Sequence, residues 1–130
     1  MASIFTKIIN GEIPCYKIAE TENCFAFLDV FPLVKGHTLV VPKREIDYIF
    51  NLDDQLLSEL HVFSKKIAIA VEKAVPCKRI GVAVIGLEVP HAHIHLVPLN
   101  KVGDLDFSKG KLKPTSEELK QVQEAICKYL

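Results

Sequence analysis

The chain has 130 residues, and its 16 basic side chains balance 16 acidic ones, so the formal net charge at neutral pH is zero. Hydrophobic residues make up 49% of the sequence, which is enough for an ordinary core. That share excludes a disordered chain, a fibrous repeat and a miniprotein that depends on disulfides. The balanced charge lacks the long-range field typical of nucleic-acid or membrane binding, so neither is predicted as a partner.

The sequence predicts a cytoplasmic location. It contains no run of about 18 uncharged apolar residues of the kind that crosses a bilayer. The N-terminal residues alternate polar and apolar side chains too often for the apolar region of a signal peptide. The four cysteines are widely spaced, without a Cys-x-x-Cys pair, and we expect reduced thiols rather than a disulfide framework.

The first half of the chain reads as short strands separated by turns. Residues 4–9 predict a short ordered segment that ends at the turn Asn10-Gly11. Three strands are predicted from runs of β-forming residues: residues 16–19, 24–30 and 37–41. Residues 32–36, which contain proline and glycine, separate the second strand from the third.

The second half begins with a helical period. Apolar side chains spaced by three or four residues predict one long amphipathic helix over residues 53–74. Two further strands are predicted over residues 79–85 and 91–97, and the short link 86–90 joins them. Residues 100–114 are polar and predict a surface loop.

A C-terminal helix is predicted after this loop. Thr115 and Glu118 have the spacing of a capping box, in which each side chain hydrogen-bonds the backbone amide of the other residue. Four apolar side chains then share one face of the helix: Leu119, Val122, Ile126 and Tyr129.

This order of elements predicts an α+β fold. Tight links between successive strands favour an antiparallel sheet of about five strands, with one long helix and a C-terminal helix on one side. We expect a single domain over residues 1–130, and a sheet this small leaves an edge or a face for a partner chain.

Three of the five histidines lie in the segment His91-Ala-His-Ile-His95. In a strand, side chains alternate between faces, so His91, His93 and His95 are predicted to project together. A positive charge on all three adjacent imidazoles is energetically costly, because each charged ring lowers the pKa of its neighbours. At least one ring is therefore expected to be neutral at pH 7, with a nucleophilic nitrogen.

Three interpretations of this cluster remain open from the residues alone. It is a chance grouping on a solvated strand, a zinc site completed by His37, or a nucleophilic centre that attacks a phosphate. Glu88 is the one acidic residue close to the triplet, and no cysteine lies near it. This poor supply of further ligands favours phosphate chemistry over metal binding.

The segment from His91 to Val97 resembles the signature of the histidine triad (HIT) family of nucleotide hydrolases and transferases. The upstream residues 29–43, with Gly36-His37 and Pro42-Lys43, resemble that family's second block, and residues 4–14 resemble its first. Together the blocks cover residues 4–98, with the loop and helix of residues 100–130 following. Within the family, the chain is most similar to the HINT-like branch of small dimeric nucleoside phosphoramidate hydrolases.

The resemblance implies a role for each of four histidines. His93 would attack the α-phosphorus of a nucleotide and carry the nucleotidyl group. His95 and His37 would contact phosphate oxygens or relay protons, and His91 would help to set the tautomer of His93.

The resemblance also implies a nucleotide-binding set and a homodimer, without a cofactor. Asp29 would accept hydrogen bonds from the ribose hydroxyls, and Gly86 would approach the phosphate. An apolar slot for the base would be formed by Phe5, Ile8, Phe27 and Val30. Plain core packing is the alternative for these four side chains.

The chain departs from the family's pattern at its zinc-binding positions. Many bacterial members carry two cysteines in the first block and a histidine after the Pro-Lys pair, whereas this chain has Ser3, Thr6 and Glu45 there. We therefore expect no metal. Before the triad, Glu88 stands where a small polar donor is common.

The expected function is hydrolysis of purine nucleoside 5′-phosphoramidates or similar adenylylated compounds, with an AMP-like nucleotide as the bound partner. Two alternatives remain: hydrolysis of dinucleoside polyphosphates, and a nucleotide-binding or interaction protein with incidental turnover.

Overall fold

A five-stranded antiparallel sheet forms the centre of the structure, a computed structural model that describes residues 2–130. The strands are β1 (Lys17–Glu20), β2 (Cys24–Leu28), β3 (Thr38–Pro42), β4 (Arg79–Ala83) and β5 (Ile94–Leu99). Their order across the sheet is β1-β2-β3-β5-β4. Three helices accompany them: α1 (Ile4–Ile9), α2 (Asp54–Ala74) and α3 (Ser116–Cys127). The predicted α+β class is confirmed.

Helix α2 packs along one face of the sheet. Its first turn is stabilised by Asp53, whose Oδ1 accepts the Leu56 amide at 2.8 Å, so the helix begins one residue later than the sequence predicts. The apolar face predicted from the spacing is buried: Leu56, Leu60, Phe63, Ile67 and Val71. These side chains meet Ala26 and Leu28 of β2 in the larger of two apolar clusters.

The opposite face of β2 carries the second cluster. Because side chains alternate along a strand, Phe25 and Phe27 point away from α2 and pack with Leu39 and Val41. Phe5 of α1 completes this group, with its ring centre 5.4 Å from that of Phe27. The short N-terminal helix thus packs on the face of the sheet that lies next to the histidines.

Helix α3 begins with the predicted capping box. The Thr115 hydroxyl accepts the Glu118 amide at 3.1 Å, and a Glu118 oxygen accepts the Thr115 amide at 2.9 Å. Leu119, Val122 and Ile126 are buried as expected. The inclusion of Tyr129 in that face is wrong, because the helix ends at Cys127 and the Tyr129 side chain is 50% exposed.

Two further observations bear on environment. The four cysteine side chains have free thiols, and Cys24 is the buried one. Within residues 2–130, no helix has the length and apolar character needed to cross a membrane.

Candidate active site

The triad histidines do not all lie in a strand. Strand β5 begins at Ile94, which pairs with Val40, so the predicted start at residue 91 is wrong. The backbone at Ala92 instead donates to the carbonyl of Ile46 at 2.7 Å, outside the sheet. His91 and His93 therefore precede the strand and His95 lies within it, yet all three side chains are buried.

The His93 ring is held in one tautomer by the backbone. Its Nδ1 lies 2.8 Å from the carbonyl oxygen of His91, and a carbonyl only accepts, so Nδ1 carries the proton. In the neutral ring, Nε2 consequently keeps its lone pair. The ring packs edge-on against Phe5, with 5.0 Å between centres, and against His95, with 4.9 Å. His93 thus presents a nucleophilic nitrogen in a fixed orientation.

His37 and His95 form a hydrogen-bonded pair. The Leu33 amide donates to His37 Nδ1 at 3.0 Å, so the proton of the neutral His37 ring is on Nε2. That nitrogen donates to His95 Nδ1 at 2.9 Å, which places the His95 proton on its own Nε2. The chain of bonds ends in an N–H donor on His95.

Both rings of this pair are neutral at pH 7. Burial, with smaller effects from the charges of Lys111 and His93, lowers the pKa of His37 to about 4. Burial together with the His37 and His93 charges lowers the pKa of His95 to about 3. The pair therefore acts as a hydrogen-bond donor rather than as a cation.

His91 is the first member of a polar cluster at the start of the chain. Its Nε2 donates to the Pro42 carbonyl at 2.8 Å, so Nδ1 is free to accept from the Ser3 hydroxyl at 2.7 Å. Burial lowers the pKa of His91 and favours this neutral form. The side chain anchors the turn whose carbonyl orients His93.

Glu45 is the acidic member of the same polar cluster. Its Oε1 accepts the Ser3 amide at 2.5 Å and the Thr6 hydroxyl at 2.7 Å, and these bonds lower the pKa of the carboxyl. Ser3 also accepts the Thr6 amide at 3.1 Å and so caps α1. Each polar group here is satisfied by another, and hydroxyls are poor zinc ligands beside thiolates. These residues do not fit the structural zinc of the family.

A second group has side chains of the types that bind metals. Asp29, His37 and His95 offer ligand atoms within 4.8 Å of one another. The 2.9 Å between the two ring nitrogens is a hydrogen-bond distance, however, and a proton already occupies that contact.

Asp29 lies just after β2, at the edge of the histidine cluster. Its Oδ1 accepts the Phe31 amide at 2.9 Å, and its Oδ2 lies 3.8 Å from His37 Nε2. Burial raises the pKa of this carboxyl, and the Phe31 hydrogen bond opposes the shift. The side chain remains 18% exposed, so an oxygen is accessible to a ligand.

The structure brings together three of the four side chains expected to form the apolar slot. Phe5 and Phe27 touch and are buried, and Ile8 packs against the same cluster. Val30 is 41% exposed and lies outside that cluster.

Gly86 has a φ of +74°, a conformation that favours glycine, and it lines a cavity of about 310 Å³ that reaches His93.

The loop before α3 packs against the His37–His95 pair, a contact that the sequence did not predict. The Phe107 ring lies edge-on to His95, with 4.7 Å between centres. The Leu112 amide donates to the Pro32 carbonyl at 2.9 Å and holds the loop against the turn beyond Asp29. Lys111 Nζ approaches Glu88 Oε2 at 4.0 Å. A single aromatic residue in a polar loop was the one signal in the sequence.

Comparison with known proteins gives one consistent family. The HIT domain model matches residues 10–102. The adenosine 5′-monophosphoramidase of Schizosaccharomyces pombe is 35% identical over 129 residues, which covers 97% of this chain and 96% of the relative. A Bartonella henselae HIT-like protein has a TM-score of 0.85 at 29% identity, with 98% and 96% covered. A zinc-bound histidine triad family protein from Mycobacterium smegmatis has a TM-score of 0.81 at 25% identity, with 98% and 95% covered.

Proposed function

Because the chain belongs to the histidine triad family, we propose that it hydrolyses purine nucleoside 5′-phosphoramidates or similar adenylylated compounds. The family membership and the relative named as an adenosine 5′-monophosphoramidase support nucleotide hydrolysis in general. The observation that carries the specific proposal is the tautomer of His93, whose Nδ1 proton is committed to the His91 carbonyl.

The first chemical step follows from that tautomer. The lone pair on His93 Nε2 attacks the α-phosphorus as the bond from phosphorus to the leaving amine breaks, and the amine departs with a proton from water. The ring then carries positive charge, which the 2.8 Å bond from Nδ1–H to the His91 carbonyl stabilises. Attack on phosphorus by the hydroxide left from that water breaks the new phosphorus–nitrogen bond, releases the nucleoside monophosphate and restores the neutral ring.

The neighbouring rings supply donors without adding charge. In the proposed complex, His95 Nε2–H donates to an oxygen of the phosphoryl group, and His37 fixes its direction through their 2.9 Å bond. Gly86 allows a close backbone approach to the phosphate. Asp29 takes the ribose hydroxyls, and the base lies against Phe5, Ile8, Phe27 and Val30.

The proposed assembly is a homodimer that pairs through β4. This strand is the last in the sheet, and its outer edge has no partner among residues 2–130. Val82 within the strand is 57% exposed, and Val84 and Ile85, directly after its end, are 38% and 48% exposed. Sedimentation equilibrium should give twice the chain mass, and Val82→Asp should reduce it to one. A monomeric wild-type protein at micromolar concentration would refute the dimer.

The chain works as one domain over residues 1–130 and requires no cofactor, since imidazole both attacks and leaves. The free thiols support a cytoplasmic location.

The test compares wild type with His93→Ala. Wild type should release AMP from an AMP–amine phosphoramidate faster than from a diadenosine polyphosphate, and the variant should lose turnover while still binding AMP. Acid-quenched wild type should carry an adenylyl group on His93, located by mass spectrometry. Near-normal turnover in the variant, or an adenylyl group on His91 or His95, contradicts the mechanism. Faster cleavage of the dinucleotide would favour the polyphosphate hydrolase.

A further inference from the structure

Three of the four histidines in the cluster contribute no positive charge near pH 7. His37, His91 and His95 are driven towards the neutral form by burial. Asp29 lies 3.8 Å from His37, and the charge of Glu88, in the link before the triad, acts on Asp29. A phosphorylated substrate is anionic, so the two carboxylates alone would repel its phosphate.

Lys111 supplies a cation at this point. Among the described residues, it is the lysine whose charge acts on Asp29, His37 and His95 together. Its Nζ lies 4.0 Å from Glu88 Oε2, so the side chain extends from the loop towards the link.

The loop that carries Lys111 is fixed over the site at two points. Phe107, four residues before it, packs on the His95 ring at 4.7 Å. Leu112, directly after it, donates to the Pro32 carbonyl at 2.9 Å. Because the loop is anchored on both sides of Lys111, the lysine is held near the entrance of the site.

We propose that Lys111 is a specificity-determining residue that selects substrates whose leaving group is anionic, and that Glu88 holds it when the site is empty. This inference rests on the proposed function and names its substrate class: nucleotidyl compounds whose leaving group bears a carboxylate or a phosphate. The substrate anion replaces Glu88 as the partner of the lysine.

The position of Lys111 favours the leaving group over the attacked phosphate. The imidazoles are buried, whereas the Lys111 and Glu88 side chains are 39% and 83% exposed, so in the proposed complex they lie on the solvent side of the histidines. An exposed ion pair of this kind contributes little, so it exchanges readily for a second anion. The effect of the lysine on a charged leaving group is expected to be about fivefold in rate or affinity.

The experiment uses three AMP phosphoramidates that differ in the charge of the amine: propylamine, β-alanine and 1,2-diaminoethane. Wild type should prefer the β-alanine compound over the neutral one by about fivefold in kcat/KM. Lys111→Ala should bring this ratio close to one, Lys111→Glu should invert it in favour of the diamine, and Lys111→Arg should keep it.

Lys109→Ala is the matched control. Lys109 lies in the same loop, but its Nζ donates to the Gly103 carbonyl and its charge acts on Asp104 and Asp106. It should retain the wild-type ratio. A wild-type ratio near one, or an equal loss for all three compounds in Lys111→Ala, overturns the proposal.

A binding measurement separates this proposal from the proposed function. ADP extends beyond the α-phosphate of AMP by one anionic group, where the leaving group lies. Calorimetry should show Lys111→Ala losing about fivefold affinity for ADP but less than twofold for AMP. That result supports the role of Lys111 even if no phosphoramidate is cleaved. Equal losses for the two nucleotides count against it even if hydrolysis is found.

Discussion

Acid should destabilise this protein through the His37–His95 pair. Burial lowers the pKa values of these rings to about 4 and about 3, whereas an exposed histidine titrates near 6.5. Below pH 6.5 the unfolded chain therefore takes up protons that the native state excludes. Stability from this source is complete at pH 7 and falls as the pH drops towards 4.

The size of the effect follows from the same values. For His37, with a pKa near 6.5 unfolded and about 4 folded, the free energy of unfolding should fall by about 2 kcal/mol between pH 7 and pH 5. The pair shares one hydrogen bond, so the contributions of the two rings are not independent. We therefore take about 2 kcal/mol as the least expected loss.

Urea unfolding at pH 7 and pH 5 measures this quantity in wild type and in His37→Asn. The asparagine Oδ1 can still accept the Leu33 amide but does not titrate, so the variant should lose about 2 kcal/mol less than wild type. Asp29, whose raised pKa has the opposite effect at lower pH, is present in both proteins. His61→Asn, at an exposed histidine of α2, should behave as wild type. Parallel losses in His37→Asn and wild type would refute the reasoning.

The parts of the fold that the sequence predicted are those whose causes are local. The spacing of apolar residues placed α2, and Asp53 caps it as a short-range interaction allows. Thr115 and Glu118 lie three residues apart, so their capping box could be recognised before any tertiary contact was known. Residues 91–97 have a strand-like alternation, yet the Ala92 amide bonds to the carbonyl of Ile46, which lies 46 residues earlier in the chain and outside the sheet.

The candidate site shows the same division. His93 stood out because three histidines alternate, but its tautomer depends on a backbone carbonyl whose direction no pattern specifies. Lys111 and Phe107 were assigned to a surface loop, because a loop's position depends on contacts such as that between Leu112 and Pro32. The family resemblance implied a set of site residues, whereas the hydrogen-bond partners in the structure indicate which ring nitrogens carry the protons.

Three further predictions concern the groups around the triad. Purified protein should hold less than one zinc per chain, and chelators should not change its activity, because Ser3, Thr6 and Glu45 are hydrogen-bonded to one another. Elemental analysis that finds one tightly bound zinc per chain would contradict this. Glu88→Gln should change kcat/KM for a neutral leaving group by less than about threefold, since its side chain is 83% exposed; a loss of about a hundredfold confined to basic leaving groups would make Glu88 catalytic. Ser3→Ala should lower the free energy of unfolding by about 1–3 kcal/mol, because it removes both the cap of α1 and the donor to the buried His91 Nδ1. Ser58→Ala, at an exposed site in α2, is the control for chemical denaturation and should change stability by less than about 0.5 kcal/mol. Equal stability losses for the two serine variants would mean that the Ser3 hydroxyl does not support the histidine turn.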